Sequence, residues 1–280
     1  MSAGPAAASV DVEIRPGRGW FDLDLPQVWR YRELLRILVE RDLKVRYRQA
    51  VLGAAWAVVQ PVFAVVIFTV VFGRFAKIPS NGVPYPLFAF AATLPWTYFA
   101  EASRRASIGL VAEGELVRKI YFPRLIIPFA AVTSPLVDFA IAFVVMMVTL
   151  MFYGRVPGWH VVFIPLFMVI AALLALALGL WLSPVNVRFR DVAQTLPFML
   201  QVWMYGSPIV YPLSMVPAKW RVLYSLNPMV GVIEGFRWAL LGKARPEFVP
   251  MLMSVTVIAV ALLGGLVFFK RQERSFADVI

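Results

Sequence analysis

The sequence predicts an all-α, polytopic membrane protein with six transmembrane helices. Three observations carry that reading. The 280 residues are 61% hydrophobic and only 15% charged, well beyond the roughly one-half apolar share of soluble domains. Six stretches approach the about 20 apolar residues that a bilayer span needs. Lys and Arg, finally, cluster in alternate connecting segments, which is how spanning proteins fix their orientation. No separate soluble domain fits in what remains.

The elements follow in order. Residues 1–27 are rich in Ala, Ser, Gly and Pro and read as a mobile tail. They lack the basic-then-apolar order of a signal peptide, so insertion is expected to rely on internal spans. Residues 28–48 read as an amphipathic helix. Tyr31, Leu34, Leu35, Leu38 and Val45 fall on one face, and Arg30, Glu33, Glu40, Arg41 and Lys44 on the other. So basic a helix is expected to lie in a membrane surface rather than cross it. Residues 49–280 then form the membrane domain, with spans near 51–72, 85–102, 125–153, 161–182, 192–211 and 248–269. Between the last two, MVGVIEGFRWALLG is apolar but about half the length of a span. It reads as a short interfacial or re-entrant helix, along which Glu234 and Arg237 are spaced to pair.

With the N-terminus placed inside, the inner segments hold nineteen of the 27 Lys and Arg residues and the outer ones eight. Both termini are therefore expected in the cytoplasm. The net charge of +11 expresses this bias and an attraction to anionic lipid, and does not argue for nucleic acid. Absence of cysteine excludes disulfides and thiolate metal sites. His160 is the single histidine and, standing alone in a short loop, makes a poor metal ligand. No metal site and no catalytic set is expected, because the 16 acids are scattered and no carboxylate–histidine pair appears.

Several stretches carry a resemblance. DLKVRYRQAVLGAAWAVVQP, VPYPLFAFAATLPWTYF, LVRKIYFPRLIIP, SPIVYP and NPMVGVIEGFRWALL resemble the permease subunit of ATP-binding-cassette exporters for bacterial polysaccharides, from about residue 28 to the C-terminus. The resemblance implies a multi-pass protein of the bacterial inner membrane, working as a homodimer with two separate ATPase subunits. It also implies a substrate glycan, such as O-antigen, on an undecaprenyl pyrophosphate carrier. The residues agree on one point: no G-x-x-x-x-G-K-[ST] loop occurs, so ATP and its Mg ion would be bound by another chain. Other cargo (capsule, teichoic acid, lipid or drug) stays open, as does a glycan-processing membrane enzyme.

Under that resemblance, residues acquire candidate roles. The inner loop 104–124 offers a coupling surface, with Ser107–Val117 as a short helix bearing Ile108, Val111, Glu113, Glu115 and Leu116. Trp56, Gln60, Trp96, Tyr98, Phe99, Gln201, Trp203 and Tyr205 fall in or beside spans and either pack helices or line a glycan channel; Gln194 adds a hydrogen-bonding group. Tyr211, Glu234 and Arg237 would rim a periplasmic gate. Arg46 and Arg48 lie where the surface helix turns into the first span, either meeting a lipid pyrophosphate or anchoring to ordinary anionic lipid. Asp138, the deepest ionisable residue, reads either as a buried structural partner or, less naturally, as a proton-coupling group.

Overall fold

A computed structural model describes residues 25–48, 53–242 and 245–273. The described residues form helices joined by short loops: α1 (Leu25–Arg30), α2 (Arg32–Arg48), α3 (Gly53–Phe68), α4 (Tyr85–Ala112), α5 (Gly114–Lys119), α6 (Ile126–Thr133), α7 (Leu136–Phe152), α8 (Ile164–Arg188), α9 (Val192–Tyr205), α10 (Ala218–Tyr224), α11 (Pro228–Leu241) and α12 (Phe248–Gln272). A π-helical turn, Thr69–Phe75, extends α3, and a short 3-10 turn, Trp159–Phe163, precedes α8. The expected tail lies almost wholly outside the described residues.

Four helical runs are long and apolar enough to cross a membrane: Val58–Phe75, Ile126–Phe152, Trp159–Arg188 and Phe248–Gln272. Large apolar side chains such as Phe63, Phe198 and Leu263 stand exposed on the bundle surface, as a bilayer solvent requires. The remaining two expected spans take a different form. α4 is 28 residues long and runs ten residues beyond the expected end at Ala102; its Pro, Thr, Tyr, Trp and Glu residues dilute its hydropathy. α9 has only 14 residues, because Gly206 and Pro208 stop it well before the expected Tyr211.

Other bounds depart from the sequence reading for local reasons. The surface helix is two pieces, broken at Tyr31. The third span divides at Ser134–Pro135, since Pro135 has no N–H to give the preceding turn. Ser107–Val117 is not one short helix. Ser107–Ala112 completes α4, Glu113 is the junction, and α5 starts at Gly114.

The core forms around α4, which packs against α3, α6, α7, α8, α9 and α11. Its closest neighbour is α8. There Gly179 meets the backbone and side chain of Ala106 so tightly that any Cβ on residue 179 would overlap Ala106. Small residues at such crossings let helices approach and gather dispersion energy, the main attraction left when both solvent and side chains are apolar. α12 closes the other side of α8, with Trp181 Nε1 donating to the carbonyl of Ala261 at 2.8 Å.

The short apolar piece is not a surface helix. α11 is buried along nearly its whole length, from Met229 to Leu240, wedged among α4, α8 and α12. Asn227 caps it, accepting from Met229 N–H at 3.0 Å, and Gly242 ends it at a φ of 66°. Gly235 faces the ring of Phe167 and Gly231 faces Ser254, whose hydroxyl accepts from Gly231 N–H at 3.1 Å.

The α4–α8 crossing supplies a test. Gly179→Ala should lower the melting temperature in detergent, by a cost of about 1–3 kcal/mol for overpacking. Adding Ala106→Gly should recover most of the loss, because the two side chains compete for one space. Equal melting of the parent and the Gly179→Ala protein would refute the crossing.

Candidate functional site

The bundle has two distinct ends. At one end, called here the basic end, α2 lies against α3 and α6, and Arg41 of α2 forms an ion pair with Glu113 at the α4–α5 junction. Its Nη1 donates to Glu113 Oε2 at 2.8 Å. The Glu113 carboxylate hydrogen bond raises the Arg41 guanidinium above its ordinary value. Arg124 binds the backbone carbonyl of Glu273 at the same end, tying the segment after α5 to the close of α12.

Between α3, α4, α7 and α9 opens a cleft of 830 Å³. Its inner wall carries Gln60, Trp96, Tyr98 and Gln201, and its basic end carries Arg46, Glu101, Arg104, Arg105 and Asp138. Four of the residues expected to meet a glycan therefore share one cavity. Spacing explains the charged part. Glu101, Arg104 and Arg105 stand three and four apart on α4, so both guanidiniums reach one carboxylate. Arg104 does so through two hydrogen bonds of 3.0 and 2.9 Å, and Arg105 through one of 2.6 Å.

Arg46 arrives from α2 and pairs with Asp138, which also accepts from the Tyr47 hydroxyl. Its Nη2 lies 3.6 Å from Glu101 Oε1, and that nitrogen is buried with no hydrogen-bond partner among the described residues. Asp138 thus stands in the first turn of α7, not alone at mid-span, and has two partners. Three arginines against two carboxylates leave the cluster one charge positive. Arg48, the other member of the expected pair, is exposed on the last turn of α2 and outside the cleft.

The other aromatic residues divide. Phe99 and Trp203 stack edge-to-face at 5.2 Å, and both meet Trp96, at 5.4 and 6.3 Å. Phe99 is fully buried, so these two form the packed layer behind Trp96. Trp203 also donates to Asn227 Oδ1 at 2.9 Å, linking α9 to the cap of α11. Tyr98 donates to the Val132 carbonyl at 3.0 Å. Tyr205 is exposed at the end of α9, and Gln194 is exposed at its start. The Trp56 side chain lies outside the described residues.

At the far end, Tyr211, Glu234 and Arg237 come together. Arg237 is buried, pairs with Glu234 at 2.9 Å, and donates to the Ile209 carbonyl at 2.8 Å. Its guanidinium lies 3.6 Å from the ring centroid of Phe88, a cation–π contact. Tyr85 donates to the Val210 carbonyl at 2.7 Å, and the Tyr211 and Tyr224 hydroxyls bond at 2.9 Å. The segment 207–212 is thereby fastened to α4 and α11.

Comparison with known proteins decides the family. The model of the ABC-2 type transporter family matches residues 33–241, three-quarters of the chain. The chain belongs to the ABC-2 type transporter family. This ABC-2 permease is 29% identical over 257 residues to the O-antigen export system permease protein RfbA of Myxococcus xanthus, covering 91% of this chain and 98% of that one. It is 26% identical to the RfbA permease of Klebsiella pneumoniae (89% and 95% covered) and 23% identical to the polysialic acid transport protein KpsM of Escherichia coli (87% and 96% covered). It is a transmembrane transport permease related to permeases of O-antigen and polysaccharide exporters.

Among the residues assigned to coupling, Ile108 and Val111 lie on the last turns of α4, and Glu113 faces Arg41 inside the chain. Leu116 is half-buried. Glu115 is exposed and, among the described residues, pairs with Lys119 alone, at 2.7 Å. A second small cavity, of 200 Å³, separates α5 from the end of α8, lined by Val111, Glu115, Arg118, Val187 and Arg190. Glu101 had no role in the sequence reading, and Arg104 and Arg105 entered it only as the start of the inner loop, not as residues that meet a substrate. Their signal was the E-x-x-R-R spacing, which looks like ordinary flanking charge until the cleft is seen.

The Arg46–Asp138 pair is testable by removal. Both side chains are about three-quarters buried, so Asp138→Asn leaves a poorly solvated cation and should cost on the order of 2 kcal/mol. The double variant Arg46→Gln/Asp138→Asn should melt higher than Asp138→Asn alone, since it removes the uncompensated charge. A double variant no more stable than the single one would show that the pair does not form.

Proposed function

We propose that this permease carries a lipid-linked polysaccharide, of the O-antigen kind on undecaprenyl pyrophosphate, across the bacterial inner membrane, driven by a separate ATPase. The observation that carries the reading is the cleft: aromatic and amide side chains continuous with an arginine cluster. Sugar rings stack on aromatic faces and hydrogen-bond to amides. A pyrophosphate needs cations, and arginine supplies planar pairs of donors. The relatives named for O-antigen and polysialic acid transport favour the same cargo class.

On this reading the phosphate end meets Arg46, Arg104 and Arg105, while Arg48 anchors the surface helix to anionic lipid. The unpartnered Nη2 of Arg46 is free to donate to a phosphate oxygen, and Glu101 gives up part of its hold on Arg104 and Arg105 as it does. The working unit is a homodimer with two ATP-binding-cassette subunits that hold ATP and Mg. On this reading α4 and the short α9 also cross, the six crossings leave both termini on one side, and the excess of Lys and Arg at the basic end assigns that side to the cytoplasm. The exposed Glu115 and the small cavity under α5 form the ATPase contact. Tyr211, Glu234 and Arg237 close the outer exit.

Export can be scored in the native host as surface polysaccharide, with membrane insertion as the control. Arg104→Gln/Arg105→Gln should reduce export at least tenfold at normal insertion, whereas Arg48→Gln should leave it within about twofold, as loss of one surface anchor worth about 1 kcal/mol or less would. Normal export by the double variant would overturn the phosphate assignment. Docking has its own check. Glu115→Lys should impair co-purification of the ATPase, and Glu113→Lys should instead lower the melting temperature of the isolated permease by breaking its bond to Arg41. Unchanged co-purification of the Glu115→Lys protein would remove α5 from the interface.

A further inference from the structure

Another groove lies on the outer surface of α3, α4 and α7, three of the helices that form the cleft, nearer the far end. It has a volume of 360 Å³ and is lined by Val62, Val65, Val66, Thr69, Val70 and Arg74 along α3 and its π turn. Pro86 and Phe90 of α4 and Thr149 and Tyr153 at the end of α7 complete it. On α3 it occupies roughly the opposite side from Gln60 and Pro61, which belong to the cleft, given about 100° of rotation per helical residue. It is therefore a distinct site, and the inference does not rest on the export reading.

Its walls have a simple order. Valines and Phe90 form the deep part. The two threonine hydroxyls are turned to their own helices, Thr69 donating to Val65 O at 2.6 Å and Thr149 to Val145 O at 2.8 Å. They present methyl groups' worth of apolar surface rather than free donors. At the far end stand Arg74 and Tyr153. Arg74 is exposed and has no ion pair among the described residues, and no carboxylate lines the groove. From Val62 to Arg74 the helix rises about 18 Å at 1.5 Å per residue, close to one leaflet of a hydrocarbon core roughly 30 Å thick. The π turn, a form frequent at functional sites, keeps Arg74 on the groove with Val70. A tyrosine at the same level suits the headgroup region.

We propose that this groove binds one anionic membrane phospholipid, its acyl chain between α3 and α7 and its phosphate against Arg74. The length of the groove matches an acyl chain in one leaflet. The lone cation without a protein partner matches a headgroup of net negative charge, and the absence of lining acids removes any repulsion. A zwitterionic headgroup would gain less, because its own ammonium offsets the charge.

The test uses the full chain purified in mild detergent, with bound lipid read by native mass spectrometry during titration with phosphatidylglycerol or phosphatidylethanolamine. The expected result is one phosphatidylglycerol per chain, held roughly fivefold more tightly than phosphatidylethanolamine, the scale of one cation at an anionic surface. Arg74→Gln should abolish the preference, Arg74→Lys should keep it, and Val66→Trp should reduce binding of both lipids by filling the groove. Each variant is first matched to the parent in elution and melting temperature. Equal retention of the two lipids by the parent, or an unchanged preference in Arg74→Gln, would overturn the proposal. Selective retention of undecaprenyl pyrophosphate over phosphatidylglycerol, lost in Arg74→Gln, would overturn it too, by assigning the groove to a carrier lipid.

Discussion

The close approach of α4 and α8 is the constraint on which the rest of the molecule depends. Hydrocarbon surroundings give no reward for burying leucine against leucine, so helices in a bilayer hold together by fit. Gly179 against Ala106 provides that fit at the centre of the bundle. With α8 fixed, α12 closes behind it and α11 sets its own Gly231 and Gly235 against Ser254 and Phe167. α4 then presents Trp96 and Tyr98 to the cleft and, nearer its start, Phe88 to Arg237. One helix thereby supplies the core, the cleft wall and the far-end fastening.

The charges follow the same economy of position. Glu101, Arg104 and Arg105 form a polar turn between two apolar stretches of α4, and Arg46 and Asp138 meet them from α2 and α7. Each guanidinium is held in place by a carboxylate, and groups fixed in this way cost less to order when they bind. The cluster also ties a surface helix to the spans. A change in α2 is felt at Asp138, and one in α5 is felt at Arg41.

Much of this was legible in the chain. Apolar runs and cation placement gave the all-helical membrane class, and i, i+3 spacing gave the Glu234–Arg237 pair. Gln60, Trp96, Tyr98 and Gln201 belonged to a larger set read as candidate channel residues, and only the fold separates these four, around one cavity, from Phe99, Trp203 and Tyr205 outside it. What hydropathy hides is contact. Asp138 and Arg46 are 92 residues apart in sequence, so each looked solitary and their pairing had no local trace. α11, too short to span, read as interfacial or re-entrant; its burial rules out the first, and its glycines and Asn227 cap record a fit to neighbours. Helix ends were misjudged wherever a proline or glycine outweighed hydropathy, as at Pro135 and Gly206.

The Arg237 fastening has a mechanical consequence. Arg237 and Tyr85 bind the backbone carbonyls of Ile209, Val210 and Tyr211, in the 207–212 segment, to two helices that are themselves wedged into the core. Such a segment has no slack of its own and cannot flap like a lid. It moves only as a passenger on α4 and α11. Widening at that end must come from tilting whole helices rather than from a hinge in the segment, so the packing that holds α4 and α11 also sets how far that end can open.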